Sequence, residues 1–281
     1  MALADRYGHF ISWLDWNDLP PDVREKTLDL TADWIANAAA GLDSKIGRAL
    51  TAIASQGRTE TGSSILLGNL EKAAPLDAAM INGGACHALE FDDAYRGGLY
   101  HPGAPVISAA WAAAGTTPVA GSRFLSAVTA GYEISMRLAQ AANPGHNRTW
   151  HTTGTIGTLG AAAAAAHCLG LDEKQCSAAL GLAGTQAAGL WEILPDAPSA
   201  KGLHTGRAAQ SGLLAALLAK QGIPGPATIL EGSRGVFRSM MPDPVDPDTC
   251  LAGLGETWRL PETTIKAYPV CIALISRHLG R

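Results

Sequence analysis

Charged and aromatic residues are scarce in this sequence, and both shortages limit what the protein can be. Of its 281 residues only 16% are charged and 6% are aromatic, and the formal net charge is −4. No run of basic residues is present, so the electrostatic footprint of a nucleic-acid-binding protein is missing. The first residues do not follow the charged-then-apolar order of a signal peptide. The longest apolar run, Leu159 to Leu171, is too short to span a bilayer. These absences predict a soluble, cytoplasmic protein that binds neither nucleic acid nor membranes.

Cysteine is also scarce, and its spacing excludes several kinds of site. The five cysteines lie at positions 86, 168, 176, 250 and 271, without a C-x-x-C pair. An odd number in this arrangement argues against a disulfide framework, a zinc ribbon or an iron–sulfur cluster. No G-x-S-x-G element is present, and no cysteine has the sequence context of a catalytic nucleophile. We therefore expect buried thiols in a protein from a reducing compartment.

Alanine, leucine and glycine are abundant instead, and they predict an all-α protein. Alanine and leucine favour helices, and the 32 glycines let backbones approach one another closely. We predict a large Ala/Gly-rich multi-helix domain that occupies residues 1–281 as a single unit, with residues from about 232 to 281 irregular. A first helix opens at Leu19-Pro-Pro-Asp22 and ends at Gly41. Further helices are predicted over 44–53, about 77–91, 104–114, 121–142, 156–169, 172–189 and 203–221, and the sixth of these begins with a capping box formed by Asp172 and Gln175.

One short stretch concentrates ionisable groups in a chain that has few of them. Between His87 and His101 lie three carboxylates, Glu90, Asp92 and Asp93. The preceding segment is apolar, and ionisable groups beside an apolar helix cost free energy unless they are paired or used. Clusters of this kind are typical of acid–base chemistry.

Three further polar segments stand out from the apolar background. They are His151-Thr-Thr-Gly154, Lys201-Gly-Leu-His204-Thr-Gly206-Arg207 and Lys266-Ala-Tyr-Pro-Val-Cys271. The first two precede predicted helices, where unpaired N–H groups and the helix dipole favour an anion. Together with the lysines and histidines, these helix ends suit a small polycarboxylate.

Each of these residues also has a structural interpretation. Asp92 and Asp93 could cap a loop or a helix. His151 could form a hydrogen bond within the core, and Lys201 and Arg207 could be solvated surface charges. The sequence alone leaves these alternatives open.

Other polar or glycine-rich positions carry weaker signals. His87 and Glu90 are spaced i and i+3 and could ligate a divalent metal together with Asp93, but no second pair of this kind accompanies them. The glycines at 154, 157 and 160 are better explained by close helix packing than by dinucleotide binding, because no strand precedes them. Glu133 and His167 are interpreted as structural residues.

The amino-acid sequences of these segments and their order along the chain resemble those of the MmgE/PrpD family. This family contains 2-methylcitrate dehydratase, cis-aconitate decarboxylase and iminodisuccinate epimerase. The resemblance extends from about Leu19 to Cys271. The segments that carry it are Asn82-Gly-Gly-Ala-Cys-His-Ala-Leu-Glu-Phe-Asp-Asp93, His101-Pro-Gly-Ala-Pro-Val106, His151-Thr-Thr-Gly-Thr-Ile-Gly157, Lys201-Gly-Leu-His-Thr-Gly206 and Lys266-Ala-Tyr-Pro269. Glu90 stands where the family usually has an aspartate, and Ala94 where it often has a threonine.

The resemblance implies a helical domain that forms a homodimer and works without a metal or an organic cofactor. It also implies a smaller α/β lid domain after the Lys266 motif, with the active site between the two domains. Because only ten residues follow Cys271, and Ile275 to Arg281 do not follow the family pattern, we expect this chain to lack the lid.

The family's chemistry assigns roles to particular residues. It consists of deprotonation, or the equivalent decarboxylation, at a carbon next to a carboxylate, and lysine ammonium groups and helix N-termini can stabilise the resulting negative charge. The resemblance implies catalytic roles for Glu90, His101, Lys201 and Lys266, with Glu90 and His101 as the acid–base pair. It implies substrate-binding roles for Asp93, His151 and His204, and no residue is assigned to a metal.

These expectations favour a hydro-lyase similar to 2-methylcitrate dehydratase that acts on a small di- or tricarboxylic acid. An epimerase or a decarboxylase of the same family is the alternative within the enzymes. A catalytically inactive, lidless domain that dimerises or binds acids is the alternative outside them.

Overall fold

The computed structural model describes residues 1–56 and 62–269. The expectations for Cys271 and for residues 275–281 lie outside the described residues. Within the described part, the chain is mainly helical, as predicted. The α-helices are α1 (Leu3–Trp13), α2 (Pro21–Gly41), α3 (Lys45–Ser55), α4 (Pro75–His87), α5 (Gly103–Ala114), α6 (Gly121–Ala142), α7 (Thr152–Cys168), α8 (Glu173–Gly184), α9 (Lys201–Lys220), α10 (Val236–Met240) and α11 (Pro247–Leu251).

Two very short strands, β1 (Ser64–Ile65) and β2 (Lys72–Ala73), form the sheet found in the described residues. They are antiparallel, with Ser64 opposite Ala73. None of the described helices combines the length and the apolar character needed to cross a membrane.

Helix α7 forms the centre of the fold. Every one of its residues is buried, and it packs against α5, α6, α8 and α9. A helix surrounded on all sides has no polar face, which explains why its sequence is almost entirely alanine, glycine, threonine and small apolar residues. The Ala/Gly-rich segment predicted to pack closely is therefore the core helix.

Glycines bring α4 and α9 unusually close together. A Cβ placed on Gly206 of α9 would lie 2.4 Å from the carbonyl oxygen of Met80 in α4, and one on Gly84 of α4 would lie 3.0 Å from the carbonyl oxygen of Gly202 in α9. Side chains at these positions would push the two helices apart. This contact places the C-terminal end of α4 beside the N-terminal end of α9, where the polar segments lie.

Several predicted helix boundaries differ from the structure. The helix predicted to run to Phe91 ends at His87, and those predicted from Ile156 and Leu203 begin earlier, at Thr152 and Lys201. The segment after residue 232 is less irregular than predicted, since it contains α10 and α11. The capping box of Asp172 and Gln175 is confirmed.

A buried ion pair holds the segment after α11 against α6. Glu133 accepts hydrogen bonds from the backbone N–H groups of Arg259 and Leu260 at 2.7 and 2.8 Å, and its other oxygen lies 3.3 Å from Arg137. Arg137 in turn donates to the carbonyls of residues 252, 253 and 257.

His167 also has hydrogen-bond partners at both ring nitrogens, which are the hydroxyl of Ser126 and the carbonyl of Ile11. Glu133 and His167 therefore both form contacts within the fold, as their interpretation as structural residues predicts.

Candidate active site

Asp92 is the hub of a buried polar cluster that joins the separate segments. One carboxylate oxygen lies 2.7 Å from Nδ1 of His87 and 3.7 Å from Nδ1 of His101. Its other oxygen lies 3.6 Å from the ammonium group of Lys266. Asp92, His87 and Lys266 are almost completely excluded from solvent. Residues as far apart in the sequence as His87 and Lys266 therefore meet around Asp92.

Glu90 connects this cluster to α9. Its side chain forms an ion pair with Lys201, the first residue of α9, and its backbone carbonyl accepts a hydrogen bond from Lys266 at 2.9 Å. The Glu90 side chain is 30% exposed and the Lys201 side chain 9%, so Glu90 faces the opening of the site. The predicted alternative that Lys201 is a solvated surface charge is wrong, because α9 begins inside the fold and not at its edge.

The turn that follows α4 is what aims these carboxylates. Glu90 has a φ of 56°, a left-handed conformation that non-glycine residues adopt at a cost of about 1–2 kcal/mol. Helix propensity alone would have continued α4 through this residue. The reversal instead directs Glu90 towards Lys201 and Asp92 back towards His87, and such strain is concentrated at functional sites.

A short backbone pairing positions Lys266. Ala94 and Thr264 exchange two hydrogen bonds, both of 2.9 Å. This pairing fixes the segment that carries Lys266 against the segment that carries Asp92. The resulting contact joins residues 174 positions apart, since Asp92 and Lys266 are brought together by it.

Three histidine rings lie side by side in the cluster. The ring centre of His87 is 5.0 Å from that of His101 and 5.8 Å from that of His151. Nδ1 of His101 lies 2.8 Å from the carbonyl oxygen of Asp93, and Nδ1 of His151 lies 3.2 Å from Nδ1 of His204. His151 is the N-cap of α7, as its position before a predicted helix suggested.

Several polar atoms of this cluster are buried without a hydrogen-bond partner among the described residues. They are Nε2 of His87, Nε2 of His151, one oxygen of Glu90 and one oxygen of Asp92. Buried polar atoms are normally paired, and an unpaired one costs about 1–3 kcal/mol. Their concentration at one place indicates a site for polar groups that the described residues do not supply.

The charges around Asp92 and Glu90 favour the ionised form of both carboxylates. Burial opposes the ionisation of Asp92, but the charges of His87, His101 and Lys266 outweigh it and hold the pKa of Asp92 well below its ordinary range. Burial likewise opposes ionisation of Glu90, yet the neighbouring charges of His87 and Lys201 lower its pKa. Both carboxylates are therefore ionised at neutral pH.

Burial has the opposite consequence for the histidines. It lowers the pKa of His101 to about 3, with further lowering by the charges of His87 and Lys266 against the effect of Asp92. Burial and the charges of His87 and Lys201 place the pKa of His151 well below its ordinary value. Both rings are thus neutral at neutral pH.

Asp93 differs from its neighbour. One of its oxygens accepts a 2.9 Å hydrogen bond from the N–H of Gly103, the first residue of α5, and the other accepts a 2.7 Å bond from the hydroxyl of Tyr132. The capping interpretation therefore describes the contacts of Asp93. Its role as a substrate ligand stays a prediction. Burial, and then the charge of Asp92, raise the pKa of Asp93 to about 7.

This raised pKa predicts a pH-dependent effect of replacing Asp93 with asparagine, which resembles the protonated acid. The folded state keeps the proton up to about pH 7, whereas an unfolded chain releases it near its ordinary value of 3.8. The stability that Asp93 contributes is thus present at low pH and lost as the pH rises towards 7. Since one pKa unit corresponds to about 1.4 kcal/mol, the variant should gain a few kcal/mol relative to the wild type between about pH 5 and about pH 8.5. Urea denaturation of both proteins at the two pH values checks this, and an unchanged difference in unfolding free energy would contradict it.

The spacing of His87, Asp92 and His101 also allows a metal ion, since one ligand atom of each lies within 4.8 Å of the others. The surrounding charge argues against this use. Lys266 lies 3.6 Å from Asp92 and already provides a buried positive charge there. A divalent cation would have to bind beside that ammonium group. The metal ligands suggested by the sequence are His87, Glu90 and Asp93. They do not form a metal-binding group here, because the Glu90 carboxylate pairs with Lys201.

A cavity of about 660 Å³ adjoins the cluster at His204. It lies between α7 and α9 and is bounded by apolar side chains such as Leu190 and Leu203, with Arg207 at its wall. Arg207 is exposed, as its solvated interpretation predicted. His204 therefore separates the polar cluster from an apolar cavity.

The sequence predicts no catalytic or substrate-binding role for two residues in the cluster. His87 has only the weak signal of a metal ligand, although it lies in the same motif as Glu90. Trp191 has no such signal in the sequence. Its ring lies 4.3 Å from that of His151, and the ammonium group of Lys201 is 5.9 Å from a ring centre of Trp191. A cation this close to an aromatic face is stabilised by it. The described cysteines 86, 168, 176 and 250 are buried and unpaired, as expected.

Comparison with known proteins places this arrangement in context. The family model for the MmgE/PrpD N-terminal domain matches residues 5–247. The chain is 31% identical over 277 residues to cis-aconitate decarboxylase of Aspergillus terreus, which covers 94% of this chain and 56% of that protein. It is 27% identical to the cis-aconitate decarboxylase-like protein oryM of Aspergillus oryzae, over 92% of this chain and 57% of that protein. The human cis-aconitate decarboxylase is 35% identical over 166 residues, 57% of this chain and 34% of that protein. The chain thus spans about half the length of the curated relatives from Aspergillus that it matches.

Proposed function

This chain belongs to the MmgE/PrpD family, and we propose that its polar cluster binds a small unsaturated tricarboxylate and decarboxylates it without a metal or an organic cofactor. The relatives from Aspergillus and human support decarboxylation by their names. The observation that carries the proposal is the meeting of Lys201 and Lys266 with three histidines at one buried site. Two ammonium groups fixed among imidazoles and helix ends are suited to a substrate with several carboxylates.

The reaction breaks one carbon–carbon bond. As carbon dioxide leaves, the electron pair of that bond enters an allylic system conjugated with a remaining carboxylate. A proton then adds to the far carbon and gives an unsaturated dicarboxylate. The negative charge that spreads onto the remaining carboxylate needs fixed positive groups in a water-poor site, and Lys201 and Lys266 supply them.

The names of the relatives favour decarboxylation over the dehydration expected from the sequence, and the lowered pKa values of Glu90 and His101 argue against the acid–base pair expected for dehydration. Dehydration needs an acid that protonates the departing hydroxyl group. Glu90 and His101, the acid–base pair expected from the resemblance, both have lowered pKa values and carry no such proton at neutral pH. We therefore assign Glu90 to the orientation of Lys201, and His101 to hydrogen bonding of the bound acid.

The proposal is tested by incubating the full 281-residue chain with cis-aconitate and following carbon dioxide together with the carbon NMR spectrum. We expect carbon dioxide and the corresponding five-carbon unsaturated dicarboxylate. Parallel incubations with 2-methylcitrate, citrate and iminodisuccinate detect loss of water or of optical activity. Water loss without carbon dioxide would replace the proposal with dehydration, and loss of optical activity alone would replace it with epimerisation.

A double variant separates catalysis by this site from catalysis elsewhere. Replacing His101 and Lys201 with alanine removes one imidazole and one ammonium group from the cluster. We expect turnover of every candidate acid to disappear. Unchanged turnover would show that the reaction occurs at another site, whereas acid binding without turnover in the wild type would favour the catalytically inactive, acid-binding alternative.

A further inference from the structure

We infer that His87, oriented by Asp92, is a further catalytic residue that delivers the proton to the substrate carbon from its Nε2 atom. The inference rests on the proposed function, because it names the proton donor that decarboxylation requires. Neither the sequence nor the family resemblance assigns His87 a catalytic or substrate-binding role. The two ring nitrogens of His87 have different surroundings.

The first ring nitrogen of His87 is held by a carboxylate. Nδ1 lies 2.7 Å from Asp92, and the side chains of His87 and Asp92 are 0% and 1% exposed. Since Asp92 stays ionised, Nδ1 carries the hydrogen and donates it to this oxygen. An aspartate that binds Nδ1–H fixes the tautomer and orientation of the ring, and it stabilises the imidazolium that forms when Nε2 takes up a proton.

The second ring nitrogen of His87 lacks a hydrogen-bond partner among the described residues. This atom, Nε2, is buried and lies on the other side of the ring from the nitrogen that contacts Asp92. The rings of His101 and His151 lie 5.0 and 5.8 Å away, and Nε2 of His151 is unpartnered as well. Two neighbouring imidazoles thus have unused nitrogens at the same buried place, which indicates a bound molecule rather than a contact within the fold.

His101 is less suited to this task. Its Nδ1 lies 2.8 Å from the neutral carbonyl oxygen of Asp93, and the Asp92 carboxylate is farther away, at 3.7 Å. A carbonyl stabilises an imidazolium less than a carboxylate does. Of the two rings that contact Asp92, the one with the short, direct hydrogen bond is His87.

The proton balance of the step is simple. The step starts from the form of His87 that carries a proton on each ring nitrogen, which the bond from Nδ1 to Asp92 stabilises. When the carbon–carbon bond breaks and carbon dioxide leaves, the proton on Nε2 moves to the allylic carbon, and His87 becomes neutral. Asp92 keeps its charge throughout, and His87 regains a proton from water after the product leaves. No oxidant or reductant takes part.

The test compares two asparagine variants of the full chain. In His87→Asn the amide nitrogen takes the place of Nδ1 and keeps the bond to Asp92, while the Nε2 position is lost. His167→Asn is the matched control, since His167 is also buried but has partners for both nitrogens, Ser126 and the carbonyl of Ile11. We expect His87→Asn to lower kcat by at least about 100-fold with KM within about threefold of the wild type. We expect His167→Asn to lose stability but to keep its kcat per folded molecule.

A binding measurement separates proton transfer from a structural role. Propane-1,2,3-tricarboxylate, which cannot react, should bind His87→Asn within about threefold of its wild-type affinity. In the wild type it should shift the imidazole nitrogen resonances of His87, which are identified by their absence from the variant. Loss of both binding and turnover in the variant would show a merely structural role and overturn the inference.

The outcomes also distinguish this inference from the proposed function. A wild type that releases carbon dioxide while His87→Asn is equally active overturns the role of His87 and leaves the proposed function intact. A wild type that turns over no acid overturns the proposed function. In that case an unshifted His87 resonance would also remove the contact between His87 and the acid, and a shifted one would support that contact.

Discussion

Replacing Lys201 with methionine is expected to weaken the binding of propane-1,2,3-tricarboxylate by about 100-fold. Removing one partner of a buried charge pair costs about 2–5 kcal/mol, and about 1.4 kcal/mol corresponds to a tenfold change in affinity. Lys201 is 7% exposed and pairs with Glu90. Its loss removes an ammonium group from the site and also leaves the Glu90 carboxylate without its counter-charge, where it repels an anionic ligand. Isothermal titration calorimetry measures the change.

The same helix supplies a matched control for this variant. Lys220 is the last residue of α9, as Lys201 is the first, but it is exposed. Lys220→Met removes an identical charge about 29 Å away along the helix axis, at about 1.5 Å per residue. Its affinity for the acid should equal that of the wild type. Equal weakening by both variants would mean that the ligand responds to net charge alone and does not contact the cluster.

Replacing Glu133 with alanine is expected to destabilise the fold by about 3–5 kcal/mol, because it leaves the buried charge of Arg137 uncompensated. Glu133 is fully buried and also accepts the N–H groups of Arg259 and Leu260. For a domain of this size, the melting temperature should fall by on the order of 10 °C. Because the released segment leads to Lys266, acid binding should weaken as well. Urea denaturation and calorimetry on the same sample measure both effects.

A surface pair in the same segment provides the comparison. Arg259 and Glu262 form a 3.0 Å ion pair in which the side chains are 33% and 46% exposed. Exposed pairs contribute about 0–1 kcal/mol, so Glu262→Ala should change stability by less than about 1 kcal/mol. A comparable loss in both variants would show that the segment is held by something other than the Glu133 contacts.

The helical fold could be predicted because the composition and the helix signals agree. The alanines and glycines predict the closely packed core helix α7, and the capping box of Asp172 predicts the start of its neighbour α8. Helix α1 was missed although its apolar pattern was present: Leu3, Tyr7, Phe10 and Ile11 all face the core. The end of α4 could not be predicted, since Ala88 to Phe91 are compatible with a helix and only tertiary contacts reverse the chain at Glu90.

The candidate site was predictable in its members but not in its pairings. Helix starts and the polar segments identified Lys201, His151 and Lys266. The ion pair of Glu90 with Lys201 joins residues 111 positions apart, and the bond from Lys266 to Glu90 spans 176. Local patterns contain no information on such contacts. The sequence therefore could not show which lysine each carboxylate neutralises, nor that one nitrogen of His87 binds Asp92 while the other has no partner in the described part of the chain.

A crystal structure of the full chain with propane-1,2,3-tricarboxylate tests the central claim most directly. We predict that its carboxylates lie within hydrogen-bond distance of both Lys201 and Lys266, with a carbon of its chain next to Nε2 of His87. An acid bound in the apolar cavity beside His204, with the two lysines still paired only to Glu90 and Asp92, would contradict the account.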